Sequence, residues 1–564
     1  MECGSENHAG EPEPHGSVSR RFRLRAFAIA GFGVFLVFFE LGGHGTLTKH
    51  EAFVAVVGRE MCETGDWVVP RFGGLPRLKK PPLMYWCAAA SGSLFGRHAA
   101  WTARFPSAVA ALLLAALVGW WAARWYGRNA GLAAGLIQIS CVYVISFARK
   151  AEVDVLLCLL TTAALFLVAE YRPEERRRRA FARWAGILGL VGVSWLAKFH
   201  YGPAMVLSVS GVWLLSQRWF GSLRHLCNPA GLAILAAAAF VWPYLLLQQL
   251  PEAWRIWQSE TVGRAVGRLG RQPVWFYVPQ IVVQTLPWAP LLWIAVPESW
   301  RRAWKDADRR ERFLWIWFGT QFAILSASAF KHHHYLMAAL PALSLVMGRS
   351  LARLVKEFRT GERQLRRRDV VRLCAAFVGT AVAAPVILAH KWPYLLAPGV
   401  VAGACIGVGG VAGVCLLGRR RFSPAVLTAA VAALGCYVVV MGWIFPGRDR
   451  RVANVQFAES VNTDAGKQPV CVFGLKEHPV VYYLNPGTYR LEDERALATR
   501  LRKTGRLLVV TDVPKVAALS QVGTVRPLRT VSVGPNRPRP KRGPLTLLEL
   551  TAAQTASQDT RQRR

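Results

Sequence analysis

The chain has 564 residues, of which 53% are hydrophobic and 18% charged, and its mean hydropathy is +0.25. This composition excludes an ordinary water-soluble globular protein and is typical of a polytopic membrane protein. The net charge of +37 is divided among short basic clusters between apolar segments, so it does not require nucleic acid as a partner.

Thirteen apolar segments approach the length of about 20 residues that crosses a hydrocarbon core. They lie at residues 26–43, 104–123, 130–148, 153–171, 184–198, 203–217, 229–248, 277–296, 313–330, 335–351, 373–390, 395–418 and 424–445. The sequence therefore predicts an all-α polytopic fold with about 13 transmembrane helices over residues 26–445.

The N-terminal residues set the predicted orientation. Residues 1–19 are acidic, proline-rich and polar, and the first apolar segment lacks a small-residue cleavage site. We therefore predict a cytoplasmic tail over residues 1–25 and a retained first span instead of a cleaved signal. Basic clusters at residues 20–25, 176–179 and 419–421 fall on the same side as this tail. The positive-inside rule makes that side cytoplasmic.

The most unusual polar segment is the first loop, residues 44–103, because ordinary connections are far shorter. The predicted orientation makes this loop extracytoplasmic, so we expect it to be an active-site loop. Other polar segments that reach the same face are residues 150–154, 198–201, 251–275 and 331–335. Segments that are distant in sequence therefore converge on one membrane surface.

After Phe445, about a hundred residues lack an apolar segment of membrane length. Residues 470–473, 480–483 and 507–510 are strand-like and residues 494–502 are helix-like. This pattern predicts a small extracytoplasmic α/β domain over residues 446–545. A polar tail is predicted over residues 546–564, and the Pro, Arg and Lys content of residues 535–544 indicates a disordered or surface-bound stretch.

The order of the motifs resembles that of the lipid A aminoarabinose transferases and of the wider protein mannosyltransferase-like branch of the GT-C glycosyltransferases. The matching stretches are Arg59-Glu60-Met61, residues 65–74, residues 80–86, residues 103–114, Asp154, residues 284–288, Lys331 with His334-Tyr335, and residues 340–343. The resemblance implies a GT-C fold. It also implies that a sugar moves from a polyprenyl-phosphate carrier to an acceptor at the outer face of the membrane.

That chemistry matches the residue types on the predicted outer face. Cations stabilise the departing phosphate, and a base is required for a hydroxyl acceptor but not for an acceptor that is already ionised, such as a phosphate. The candidate catalytic residues are Glu51, His50 and Asp154. The candidate ligands of the carrier phosphate are Lys79, Lys80, Lys198, Arg264, Lys331, His334 and Tyr335.

Three positions depart from the pattern that the resemblance implies. His50 stands where an Asp usually begins the first loop, Lys79 where a Glu precedes Lys-Pro-Pro, and Thr261 where a His follows a Glu. In the aminoarabinose transferases, the Glu at the position of Lys79 and the His at the position of Thr261 are metal ligands. Their replacement leaves a divalent metal without its usual ligands, and no other cofactor is implied. We hypothesise that Lys79 provides the cation that a metal provides elsewhere.

The implied partners are a polyprenyl-phosphate sugar donor, a glycolipid or protein acceptor, and membrane lipids, with undecaprenyl phosphate as carrier in a bacterial inner membrane. Two alternatives stay open. A catalytically inactive relative would bind the carrier lipid without transferring sugar, because the first-loop acid is replaced. A lipid or sugar transporter would also have many spans, but it predicts broken helices near the membrane midplane and paired repeats, which the sequence does not show.

Overall fold

The computed structural model describes residues 20–43, 46–265, 272–329, 331–449, 453–475, 477–531 and 544–552. Helices dominate the chain as far as residue 449, and a five-stranded sheet with flanking helices follows. The prediction of a mainly helical protein with a small C-terminal α/β unit is therefore confirmed.

The helical part includes the two short strands of a hairpin within the first loop. Its elements are α1 (Arg20–Phe38), α2 (Lys49–Thr64), β1 (Arg71–Phe72), β2 (Leu75–Pro76), α3 (Leu83–Leu94), α4 (Ala100–Tyr126), α5 (Arg128–Ser140), α6 (Val142–Ala148), α7 (Asp154–Glu170), α8 (Arg177–Lys198), α9 (Tyr201–Ser216), α10 (Pro229–Gln249), α11 (Ala253–Ala265), α12 (Val278–Thr285), α13 (Leu292–Trp304), α14 (Arg309–Ala327), α15 (Leu340–Thr360), α16 (Arg367–Lys391), α17 (Leu396–Gly418), α18 (Phe422–Val439) and α19 (Phe445–Asp449).

The apolar segments of the sequence coincide with these helices, but not all of them are straight. Among the described residues, seven helices are long and apolar enough to cross a membrane, or nine if each of two bent pairs forms one span. The second pair, residues 274–285 and 289–304, bends by 113°. The predicted span at residues 277–296 is therefore not one continuous helix, because Pro287 interrupts it. The count of about thirteen spans stays a prediction.

The C-terminal unit is built from both helices and strands. Its elements are α20 (Ala453–Ala465), β3 (Cys471–Phe473), α21 (Val480–Tyr483), β4 (Tyr489–Leu491), α22 (Glu494–Thr504), β5 (Arg506–Asp512), α23 (Val516–Leu519), β6 (Thr524–Val531) and β7 (Leu545–Thr551). The strand order is β4-β3-β5-β7-β6, in which β3 is parallel to β4 and β5, and β7 is antiparallel to β5 and β6.

Two details of the predicted C-terminal domain are wrong. Residues 480–483 form a helical turn instead of a strand, because the fixed φ of Pro479 suits the start of a helix, and Val480 and Val481 pack into the core. The domain also extends beyond residue 545, since β7 is an inner strand of the sheet whose leucines are buried. The predicted polar tail therefore cannot begin at residue 546. Residues 535–543 of the predicted disordered stretch lie outside the described residues.

Indole groups fix the first loop against the helices that follow it in the chain. Trp242 of α10 donates a hydrogen bond from Nε1 to the Val68 carbonyl at 2.9 Å. Trp257 of α11 donates in the same way to the Leu78 carbonyl at 2.7 Å. Because an indole is an apolar body with a single donor, it can bury against the loop while satisfying a loop carbonyl.

The hairpin of β1 and β2 is held between α2 and the C-terminal domain. The Glu60 carboxylate accepts hydrogen bonds from the Gly73 and Gly74 amides at 2.7 and 3.1 Å. On the other side, the Arg490 amide donates to the Gly73 carbonyl at 2.9 Å, and its guanidinium donates to the Phe72 carbonyl at 3.1 Å. The loop therefore connects the helical part to strand β4.

The two hairpin glycines provide a matched test of this docking. Both have positive φ, +65° and +77°, so alanine at either position strains the backbone by about 1–2 kcal/mol. A Cβ at Gly73 would lie 2.7 Å from Arg490 Cγ, whereas a Cβ at Gly74 has no neighbour within 4 Å. We expect Gly73→Ala to lower the apparent melting temperature in detergent more than Gly74→Ala does. Equal melting temperatures for the two variants would contradict the docked hairpin.

Candidate functional site

The candidate site is centred on the carboxylate of Asp154, the first residue of α7. Lys198, the last residue of α8, places Nζ 2.6 Å from Asp154 Oδ1. The Nε2 atom of His334 lies 3.8 Å from the same oxygen. A buried carboxylate needs a counter-charge, and Asp154 is only 7% exposed. Three of the predicted site residues therefore meet at one buried charge pair.

Aromatic rings and a bent helix pair position this charge pair. Lys198 Nζ lies 4.5 Å from the centre of the Tyr335 ring and 5.1 Å from that of Tyr201, which are favourable cation–π distances. Gln284, at the break between α12 and α13, donates a hydrogen bond to the His333 carbonyl at 2.5 Å. The motif at residues 284–288 thus holds the segment that presents His334 and Tyr335.

Lys80, His50 and Glu152 line a small cavity of about 10 Å³, a volume that one water molecule needs. Burial lowers the pKa of the Lys80 ammonium, although Asp154 and Glu152 oppose this shift. Partial burial and the charges of Lys80 and Arg77 lower the pKa of His50 to about 4. Burial and the charge of Asp154 raise the pKa of Glu152 to about 7. Glu152 is a polar residue of this site that the sequence did not single out.

Lys79 lies in different surroundings from its neighbour Lys80. It lines an apolar cavity of about 520 Å³ whose other lining residues include Trp195, Phe199 and Trp257. Its Nζ lies 3.7 Å from Glu477 Oε1, and 45% of its side chain is exposed. Lys79 therefore presents a cation at the rim of a large apolar space.

Glu477 brings an acidic group from the C-terminal domain to the first loop. Its carboxylate forms ion pairs with Arg77 and Lys79 and lies 4.0 Å from Lys49 Nζ. The Arg77 guanidinium also stacks 3.4 Å from the centre of the Phe53 ring. No sequence signal linked Glu477 to the loop, since about 400 residues separate it from Arg77.

Glu51 has a structural environment that the prediction of a catalytic role did not anticipate. The carboxylate is 2% exposed and pairs with Arg104 of α4, whose Nε lies 2.8 Å from Glu51 Oε1. It also accepts hydrogen bonds from the amides of Thr48, at 2.9 Å, and Ala151, at 3.3 Å. Both carboxylate oxygens are thus engaged in holding the start of α2, so the geometry supports a positioning role for Glu51.

Another candidate phosphate ligand, Lys331, is engaged by backbone carbonyl groups and not by the Asp154 carboxylate. Lys331 Nζ donates to the carbonyl of Gln272, at 3.1 Å, and to that of Ser328. It therefore ties Gln272 to the end of α14. Arg264 belongs to α11, but its side chain, like those of Glu260 and Thr261, lies outside the described residues.

The donor set at the site does not fit a divalent metal. Within the described ranges, no three His, Cys, Asp or Glu residues are grouped so that they could hold an ion. The Asp154 carboxylate is paired with the Lys198 ammonium group, and the charge of Lys80 also acts on it. Such positive charge opposes cation binding, so we derive no step through a metal.

Comparison with known proteins finds similarity to the same groups of transferases that the sequence motifs resemble. Residues 79–246 match the family model described as dolichyl-phosphate-mannose-protein mannosyltransferase. The chain is similar to the undecaprenyl phosphate-alpha-4-amino-4-deoxy-L-arabinose arabinosyl transferases of Aeromonas salmonicida strain A449, at 29% identity over 344 residues, and Pseudomonas aeruginosa strain LESB58, at 31% over 349 residues. These matches cover 59% and 60% of this chain, and they span 61% of the length of each relative.

The fold is also that of a solved relative. The crystal structure of ArnT from Cupriavidus metallidurans bound to undecaprenyl phosphate matches with a TM-score of 0.73 at 20% identity, over 93% of this chain and 97% of that chain. Its apo structure matches with a TM-score of 0.74 at 21% identity, over the same shares of the two chains. The chain therefore shares the ArnT fold, which together with the sequence matches confirms the resemblance expected from its motifs, and its long apolar helices are those of an integral membrane protein.

The Glu51 environment leads to a stability prediction. Glu51→Gln removes the carboxylate that pairs with the buried Arg104 guanidinium, so we expect a loss of about 3–5 kcal/mol and a clearly lower melting temperature in detergent. The matched control is Glu63→Gln, because Glu63 is 52% exposed and forms a surface pair with Arg59. That pair contributes about 0.5 kcal/mol or less. A Glu51→Gln protein that melts like the wild type but is inactive would instead support direct catalysis by Glu51.

Proposed function

We propose that this protein transfers a sugar from a polyprenyl-phosphate carrier to a glycolipid or protein acceptor at the extracytoplasmic face of a bacterial inner membrane. The observation that carries the proposal is the juxtaposition of a buried charge cluster with a large apolar cavity. Lys79 and Phe199, which line the cavity, adjoin Lys80 and Lys198 of the cluster in the chain. A phosphate attached to a long isoprenoid chain needs both environments side by side.

The proposed donor is undecaprenyl phosphate carrying a sugar, in keeping with the names of the similar transferases. The prenyl chain occupies the cavity between Trp195 and Trp257, where apolar burial favours it. The phosphate lies at the rim of this cavity, between Lys79 and Lys80. Lys79 then exchanges its surface pair with Glu477 for the carrier phosphate, which is the role proposed for it in place of a metal.

Departure of the carrier phosphate is the step that these cations assist. As the bond between the sugar and the phosphate breaks, negative charge grows on the bridging oxygen. Lys80 is half-buried, so its positive charge is less screened than in water and stabilises the leaving group more than a fully solvated lysine would. Lys198, fixed by Asp154 and the Tyr335 ring, contributes a second cation from the opposite side.

The proposed topology has about thirteen spans, a cytoplasmic N-terminus, and both the first loop and the C-terminal domain outside. It is supported by the basic clusters at residues 20–25, 176–179 and 419–421, which then all face the cytoplasm. The contact between the hairpin and β4 requires the loop and the domain to lie on the same face of the membrane. Acceptor and carrier therefore meet outside the cytoplasm.

The test is transfer of labelled sugar from a panel of polyprenyl-phosphate sugars by the purified protein, with membrane extract as acceptor. We expect Lys80→Met to lower the transfer rate by about 10²–10³-fold, the effect of removing one electrostatic contact to the transition state. Asp154→Asn should also lower it, because Lys198 loses its fixed position. Lys79→Met should weaken carrier binding.

The matched control is Lys467→Met, which removes an exposed cation from the C-terminal domain and should leave transfer unchanged. Binding of polyprenyl phosphate is measured in parallel. A wild-type protein that binds the carrier but transfers sugar from none of the donors would contradict the proposed function and support a carrier-binding relative without activity.

A further inference from the structure

Glu152 is held rigidly at the edge of the site by its own backbone. Its amide donates a hydrogen bond to the Lys150 carbonyl at 2.8 Å, and its carbonyl accepts one from Ser107 Oγ at 2.9 Å. The side chain lines the small cavity that His50 and Lys80 also line. The carboxylate is therefore presented to the cavity by a segment with little freedom to move.

The other carboxylates of this region already have partners. Glu51 is paired with Arg104, Asp154 with Lys198, and Glu60 holds the hairpin amides. Within the part of the chain that the structure describes, the Glu152 carboxylate forms no hydrogen bond or ion pair. A half-buried carboxylate that lines a cavity without a direct partner is a candidate for a group that acts on a ligand.

We propose that Glu152 is the general base of the transfer and that the acceptor is consequently a hydroxyl group. This inference rests on the proposed function and names the acceptor class. The acceptor O–H bond breaks and its proton moves to the Glu152 carboxylate, while the acceptor oxygen forms a bond to the anomeric carbon of the sugar. The bond from that carbon to the phosphate oxygen breaks, and its electron pair leaves with the polyprenyl phosphate beside Lys80.

The surroundings of Glu152 suit this role better than those of His50. Burial and the negative charges of Asp154 and Glu51 raise the Glu152 pKa to about 7, whereas Lys150 and Lys80 oppose that rise. A base with a pKa near the working pH is both deprotonated and able to hold a proton. His50, with a pKa of about 4, stays neutral and is a weak base. Glu152, which lines the same cavity as His50, thus supplies a carboxylate where the first loop has a histidine in place of the expected acid.

The test compares wild type, Glu152→Gln and Glu152→Asp for transfer rate, polyprenyl phosphate binding and pH dependence. A base must be deprotonated, so wild-type kcat/KM should rise with pH through about 7 and then level off. Glu152→Gln should lower kcat by about 10²-fold or more, abolish this rise, and leave the Kd for polyprenyl phosphate unchanged. Glu152→Asp should keep the rise at a reduced rate. Glu63→Gln is the control and should match the wild type in all three measurements.

The acceptor class is tested with two probes, an alkyl glycoside that offers only hydroxyl groups and an alkyl phosphate monoester. We expect transfer to the alkyl glycoside, and we expect that transfer to depend on Glu152. Transfer by Glu152→Gln at the wild-type rate, or a drop that merely follows lost carrier binding, would overturn the inference while leaving the proposed function intact. Absence of transfer by the wild-type protein would overturn both.

Discussion

The ion pair between Glu51 and Arg104 is the interaction on which the rest of the site depends. Arg104 also donates hydrogen bonds to the Leu41 and Thr46 carbonyls, and Glu51 also accepts one from the Ala151 amide. One buried pair thus joins the end of α1, the start of α2, the body of α4 and the segment before α7. Because neither charge is stable alone in so dry an environment, these four elements are fixed relative to one another, and with them His50 and Glu152.

The two adjacent lysines before Pro81 divide the site into two parts. Lys80 lines the small cavity with His50 and Glu152, whereas Lys79 lines the large apolar cavity and pairs with Glu477. The following prolines restrict the backbone, so the two ammonium groups are held on different sides. The proposed carrier therefore approaches from the apolar side and the acceptor from the polar side. Through the ion pairs of Glu477 with Arg77 and Lys79, the C-terminal domain contributes a carboxylate to the site.

The sequence predicted those parts of the site whose signal is local. The long first loop, and the charges of Asp154, Lys198 and His334 next to apolar segments, stand out because charges at a membrane edge are costly. Arg104 begins a predicted span and was given no role, and Glu477 is far from the loop in sequence; periodicity carries no information about such contacts. Residues 480–483 were misread as a strand because a buried helical turn and a short strand are equally apolar. Glu152 was not predicted because it stands out only by its carboxylate having no direct partner among the described residues, which a three-dimensional structure is needed to reveal.

The most direct test of the account is an experimental structure of the protein with polyprenyl phosphate bound. The account predicts the phosphate within hydrogen-bond distance of Lys80, with Lys79 turned from Glu477 toward it, and the prenyl chain in the cavity lined by Trp195 and Trp257. A phosphate bound elsewhere, for example at the basic cluster near residues 176–179, with this cavity free of the prenyl chain, would contradict it.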